Sequence, residues 1–175
     1  MKTSFPIRTA TLDDVPALTE LAIRTMRQAF GPPHNPAELV EAYITETFSL
    51  EQTQQELNDP KATFLVMMDT NQALVGYAKL TRNRPPRQLK GQHALEIQRL
   101  YVSEEHIGKG LGRHLMENCL QQARSEGYKT VWLGVWERNA RAIGFYDQLG
   151  FEKCGWHYFQ FGGERQRDYW MKKEV

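Results

Sequence analysis

Two cysteines, Cys119 and Cys154, are all that the 175 residues contain, too few for a disulfide scaffold and without the spacing of zinc ligands. No apolar run approaches the ~20 residues that a membrane span requires. Neither sign of charge dominates: 22 Lys and Arg stand against 21 Asp and Glu, a net charge of +1. That near-balance argues against a chain built mainly to hold nucleic acid. The opening residues Met1-Lys2-Thr3-Ser4-Phe5-Pro6 lack the apolar stretch of a secretory leader. Internal repeats and low-complexity tracts are missing as well. These absences disfavour collagen, coiled coil, membrane protein, secreted mini-protein and disordered tail. What is there, 41% hydrophobic residues in a chain of one-domain length, leads us to expect a single cytoplasmic domain over 1–175 with a substantial core.

The charge is unevenly spread. Residues 1–60 carry nine acids and four bases, and the remainder twelve acids and eighteen bases. An acidic first third beside a basic remainder would suit one cationic and one anionic ligand; two ordinary solvated faces would give the same arithmetic.

Hydrophobic periodicity divides the chain into alternating elements. A strand is expected over Phe5–Ala10 and a helix from Thr11, with Asp13 and Asp14 in its first turn and Val15, Leu18, Ala22 and Met26 on its apolar stripe. Gly31-Pro32-Pro33 stops it. Asn35-Pro36 starts a second helix through Val40 and Ile44, and Ser49 with Gln52 caps a further helical turn. After Pro60 the period changes. Thr63–Asp69 and Leu74–Leu80 read as a hairpin, Arg82–Arg87 as a proline-bound loop and His93–Val102 as a strand. A helix through Leu115 and Ala123 follows, then an apolar strand Val131–Trp136, a helix Asn139–Leu149, and two aromatic strands, Phe151–Phe161 and Arg167–Lys172.

The most informative stretch lies where the His93–Val102 strand meets the next helix. There Ile107-Gly108-Lys109-Gly110-Leu111-Gly112-Arg113 would put glycines against the free N–H groups of a helix N-terminus, a cradle for a bulky anion. A Walker loop is excluded by spacing, and a Rossmann fingerprint by Arg113 where a third glycine belongs. The cluster resembles the Gln/Arg-x-x-Gly-x-Gly/Ala signature of the GNAT superfamily of acetyl-CoA-dependent N-acetyltransferases, with Ile107 in place of the usual Gln or Arg. A second stretch, Asn139-x-x-Ala142-Ile143-x-Phe145-Tyr146-x-x-x-Gly150-Phe151, resembles that family's other core motif and begins 27 residues after Gly112. Helical spacing sets Asn139, Ala142 and Tyr146 along one side. The resemblance covers 93–152. Glu96-Ile97-x-Arg99-Leu100-Tyr101-Val102, Trp132–Asn139 and the helical insert Phe30–Asp59 are further similar to bacterial polyamine (spermidine/spermine) N-acetyltransferases of the PaiA type.

That resemblance implies an α/β, single-domain GNAT fold, with a mixed, mostly antiparallel sheet flanked by helices on both sides, acceptor-side helices at about 11–60 and a cofactor-binding core at about 93–152. It implies acetyl-CoA as co-substrate. Leu100, Tyr101 and Val102 would hold the pantetheine arm, and Ile107, Gly108, Lys109, Gly110, Leu111, Gly112 and Arg113 the pyrophosphate. Asn139 and Ala142 would orient the cofactor. Tyr146 is the expected general acid, a core tyrosine being the alternative. Glu96 is the expected base, on a regular strand that would put Glu96, Gln98 and Leu100 on one face and Arg99 on the other; a structural ion pair is its alternative. The expected acceptor is a small polyamine, with Phe30, Tyr43 and the acids of the helical insert on its side. No metal, nucleic acid or membrane is expected, and a homodimer is left open. A protein N-terminal or lysine acetyltransferase, or a non-catalytic acyl-CoA-binding regulatory module, would carry the same motifs.

Overall fold

In a computed structural model describing residues 5–175, seven strands join in one sheet of order β1-β2-β3-β4-β5-β7-β6. They are β1 (Ile7–Thr9), β2 (Ala62–Met68), β3 (Leu74–Thr81), β4 (Ala94–Val102), β5 (Thr130–Trp136), β6 (Glu152–Phe161) and β7 (Glu164–Glu174). All neighbours are antiparallel except β4 and β5. The helices are α1 (Val15–Phe30), α2 (Ala37–Thr47), α3 (Leu50–Asn58), α4 (Leu111–Ser125) and α5 (Ala140–Gln148). The mixed single sheet with helices on both faces is the fold that the sequence implied. Of Met1–Pro6, where no secretory leader is expected, Met1–Ser4 lie outside the described residues.

Two cores form, one on each face. Leu115, Met116 and Cys119 of α4 pack on Leu95, Ile97, Val131 and Leu133. On the other face Leu18, Leu21 and Met26 of α1, with Val40 and Ile44 of α2, cover Phe64, Val66 and Tyr77. Among the described residues no helix is long and apolar enough to cross a membrane.

Two boundaries differ from expectation. The first helix opens with a 3-10 turn, Leu12–Asp14, before α1. Asp14 is held there by both terminal nitrogens of Arg8, at 2.7 and 2.8 Å, and accepts the Thr11 N–H at 2.8 Å. The last strand is longer than Arg167–Lys172 because Gly162 and Gly163, both at positive φ, turn the chain in two residues, and pairing resumes at Phe161↔Glu164. A Cβ on Gly162 would meet the Leu39 carbonyl oxygen at 2.2 Å, so the bare backbone also lets this hairpin lie against α2.

Candidate active site

β4 and β5 pair only at Ala94↔Thr130, Leu95↔Val131 and Glu96↔Trp132, then part, although β4 continues to Val102 and β5 to Trp136. β3 still holds the outer edge of β4 as far as Val102, and β7 that of β5 as far as Trp136. The unpartnered edges therefore face each other, and their N–H and C=O groups await a ligand or water. The parting coincides with a bulge. β3 pairs Lys79↔Arg99 and then Leu80↔Ile97, so Gln98 is the extra residue, and an extra residue bends its strand. A cleft of about 1090 Å³ opens there.

At one end of the cleft stands the start of α4. Gly110 caps it in the left-handed region at φ 77°, and Gly108 is at φ 82°. A Cβ on either would meet nothing within 4 Å, so both glycines face open space. His114 makes the first bond of the helix, to the Gly110 carbonyl at 3.1 Å, which leaves the N–H groups of Leu111, Gly112 and Arg113 without an intrahelical acceptor. Gly112 differs: a Cβ there would touch the Phe145 ring at 3.4 Å, an ordinary contact, so this glycine lies against α5 rather than in the open. Ile107, where the resembling signature has Gln or Arg, is 38% exposed and lines the cleft, offering surface but no donor side chain. Arg113, Arg138 and Arg141 line this end, and only the first was expected. Free N–H groups, bare glycines and guanidinium groups are the donor set for a pyrophosphate.

The start of α5 adds the next piece. Asn139 caps it, accepting the Ala142 N–H at 3.1 Å. Asn139, Ala142 and Tyr146 all reach the cleft, as the helical spacing implied. Burial raises the Tyr146 phenol well above the ordinary range, with the Cys119 sulfur a smaller contribution in the same direction. Of the fourteen residues expected at the site, all but Lys109 and Glu96 line the cleft.

Glu96 requires a correction. The expected regular strand would have set it on the face of Leu100. The bulge at Gln98 shifts the phase: Leu95 and Ile97 share a face with Leu100 and Val102, whereas Glu96 falls on that of Arg99 and Tyr101. Its carboxylate accepts the Thr81 hydroxyl at 2.5 Å and the Asn83 amide at 3.2 Å, and it does not line the cleft.

The opposite end is assembled from side chains. Phe30 of α1 and Tyr43 of α2 stand here with Phe161, whose ring stacks on Tyr43 at 4.6 Å, and with Trp136, 6.0 Å from Phe30. Three charges sit in this wall: Glu56 of α3 takes two bonds from Arg99, at 2.8 and 3.1 Å, and lies 3.1 Å from Lys79. Their side chains are 13%, 13% and 10% exposed. Burial works against the Glu56 carboxylate, but Arg99 and Lys79 outweigh it and hold its pKa below the usual value. For Lys79, burial and then Arg99 lower the pKa, with Glu56 opposing. Asp168 of β7, opposite Trp136, also faces the cleft. Burial, with Glu137 adding to it, raises its pKa to about 6. Neither the triad nor Asp168 could be read locally. Their residues belong to four elements, and only the tertiary arrangement of those elements brings them together.

Comparison with known proteins gives this geometry a context. The model of the family described as "Acetyltransferase (GNAT) family" matches residues 21–151. An uncharacterized N-acetyltransferase of Mycobacterium tuberculosis is 30% identical over 164 residues, 94% of this chain and 99% of that protein. Another, from Lactobacillus delbrueckii subsp. lactis, is 28% identical over 93% of this chain and 92% of its own. Among solved structures, the PaiA N-acetyltransferase of Thermoplasma acidophilum in complex with coenzyme A superposes with a TM-score of 0.77 at 22% identity, covering 98% of this chain and 99% of that one.

Proposed function

Because the chain belongs to the acetyltransferase (GNAT) family, we propose that it moves an acetyl group from acetyl-CoA to a primary amine, with the cytoplasm as its place of action. The observation that carries this reading is the meeting of two open strand edges, a free helix N-terminus and the Tyr146 phenol in one cleft.

Acetyl-CoA supplies an acyl group activated as a thioester. The Leu111, Gly112 and Arg113 N–H groups, with the Arg113, Arg138 and Arg141 guanidinium groups, hold its pyrophosphate. The open edge at Leu100, Tyr101 and Val102 bonds the amide-bearing arm as a substitute strand, and a main-chain N–H of that edge polarises the thioester carbonyl. The amine nitrogen bonds to the carbonyl carbon as the carbon–sulfur bond breaks; the nitrogen loses its proton to a base and the sulfur gains one. Tyr146 supplies the latter. Burial keeps its donor form full at neutral pH. Because transfer from so weak an acid to a thiolate is uphill, the proton moves in step with carbon–sulfur cleavage rather than before it.

The acceptor class has two supports that point apart. Resemblance in Glu96–Val102 and Trp132–Asn139 favours a polyamine, and the aromatic walls from Phe30 to Phe161 suit a methylene chain ending in an ammonium. The acids of the first third support it less than their number suggests. Asp14 is taken by Arg8, Glu41 by Arg27 and Glu56 by Arg99, and of these acids Glu56 alone lines the cleft. Two cations against one acid in the buried triad favour a second reading, an amine that also carries an anionic group. Thiol release from acetyl-CoA measured against spermidine, spermine, simple alkylamines, amino acids and short peptides separates the two. Saturable turnover with polyamines supports the first and turnover limited to carboxylate-bearing amines the second. Binding of acetyl-CoA with silence across the panel would sink the catalytic reading in favour of a regulatory module.

A further inference from the structure

Amine acetylation needs a base, and with Glu96 tied to Thr81 and Asn83 the cleft offers another acid. Asp168 stands where β7 pairs Trp136, the last residue of β5, on one side and His157 of β6 on the other. Its side chain is 16% exposed, and among the described residues the basic group within 4 Å of it is His157 Nε2, at 3.9 Å, beyond hydrogen-bond reach. The His157 ring lies flat on Trp170, centroids 3.6 Å apart and planes at 7°, which fixes its orientation. Its Nδ1 is 3.1 Å from the Tyr158 carbonyl oxygen. A carbonyl only accepts, so Nδ1 carries the hydrogen and Nε2 of the neutral ring is a lone pair. That Nε2 is buried and has no partner. A carboxylate and a lone pair thus face each other with nothing to donate between them. One proton would satisfy both.

Of the other charges nearby, Glu137 acts on this pair, adding to the rise of the Asp168 pKa. Glu137, beyond the end of β5, is held by Arg167 at 2.7 Å. From α2 the pair is faced by Tyr43, which also feels Arg99 and Glu56 across the cleft. Arg99 and Lys79 are engaged with Glu56. Burial lowers the His157 pKa, and burial with Glu137 raises that of Asp168, so each group is shifted toward its neutral form.

We propose that Asp168 is the general base of this cleft, taking the proton of the acceptor ammonium and sharing it with His157 Nε2. The inference rests on the acetyl-transfer reading above. One ammonium N–H bond breaks and its electron pair stays on nitrogen as the attacking lone pair. The proton forms an O–H bond on Asp168 and then an N–H bond on Nε2, leaving an imidazolium beside the restored carboxylate until solvent takes the proton.

Two measurements test it separately from the acetyl-transfer reading. In the free protein, nitrogen NMR of the imidazoles, assigned with His157→Gln, should show His157 responding to an ionisation near pH 6 that Asp168→Asn abolishes. A His157 signal indifferent to that substitution overturns the shared proton. In turnover, the wild-type kcat/KM should rise with pH and level off above about 6. Asp168→Asn should cost about 10²-fold at pH 7, as loss of a general base does. Its rate should then climb tenfold per pH unit toward the ~10 at which a free alkylamine loses its own proton, and Asp168→Glu should recover part of the loss. An Asp168→Asn enzyme within about twofold of wild type at pH 7, with the acidic limb intact, overturns the base. A wild type that binds acetyl-CoA but acetylates no amine overturns both the base and the acetyl-transfer reading, whereas the NMR result still decides whether the proton is shared.

Discussion

Where the glycine end of the cleft is made largely of main chain, the N–H groups opening α4 and the bare edges of β4 and β5, the opposite end, proposed above for the acceptor, is made of side chains from six elements: Phe30, Tyr43, Glu56, Lys79, Arg99 and Asp168. The two ends also differ electrically. One presents main-chain donors and arginines, and the other a buried triad and a lone acid whose charges nearly cancel. Main-chain construction is insensitive to most side-chain replacements, so that end can be shared widely across a family. Side-chain construction lets the acceptor drift on an unchanged scaffold.

The sharpest way to test that division is Tyr146→Phe, which removes the proposed proton donor at the junction of the two ends. Turnover should fall at least ~10²-fold, while calorimetry finds acetyl-CoA affinity unchanged; a parallel loss of affinity would mean that the phenol belongs to the binding end. Next comes Glu56→Gln, which leaves Arg99 and Lys79 buried without their acid and should cost about 3 kcal/mol of stability or more in a urea melt. The folded pKa of Glu56 lies below its unfolded value, so its contribution is complete above the ordinary carboxylate range and is lost as pH falls through the folded value. Stability of the variant should accordingly depend less on acid pH than that of the wild type. Smaller still, Gly110→Ala puts a Cβ on a left-handed backbone at a cost of about 1–2 kcal/mol. It should weaken acetyl-CoA by roughly tenfold if that strain falls on the bound state, and leave the acceptor KM alone. Glu96→Gln should change least, with turnover within about twofold of wild type, because Glu96 does not line the cleft and Gln keeps an oxygen to accept the Thr81 hydroxyl. A large loss there would return Glu96 to the chemistry.

The same division explains what the sequence disclosed. The cradle was legible because contiguous glycines at a strand–helix junction encode their own geometry: Gly108 and Gly110 take positive φ where the reading placed the anion. Asn139, Ala142 and Tyr146 were legible because a single helix enforces their spacing. The acceptor end depends on registers that no local pattern reveals. Strict alternation misplaced Glu96, since one unpaired residue, Gln98, moves every later side chain to the other face. Asp168 gave no signal amid the charged residues of β7; the Gly162-Gly163 turn would have yielded its pairing with His157, had the two-residue hairpin been counted outward. The acidic first third misled for a related reason, because composition does not say which acids already have arginines.

The parting of β4 from β5 also governs how the molecule comes apart. Three residue pairs stitch β1–β4 to the last three strands, against seven between β5 and β7, and α4 packs across the join through Leu115 and Met116. The sheet thus has a seam, and α4 is its latch. Local opening starts where ladder bonds are fewest, so amides along the seam exchange with solvent before those of the hairpins on either side. A ligand that bonds both open edges supplies the missing rungs and raises the free energy of opening with its concentration. In that mechanical sense a substrate bound as proposed would complete the sheet, and the empty enzyme would be the looser of its two forms.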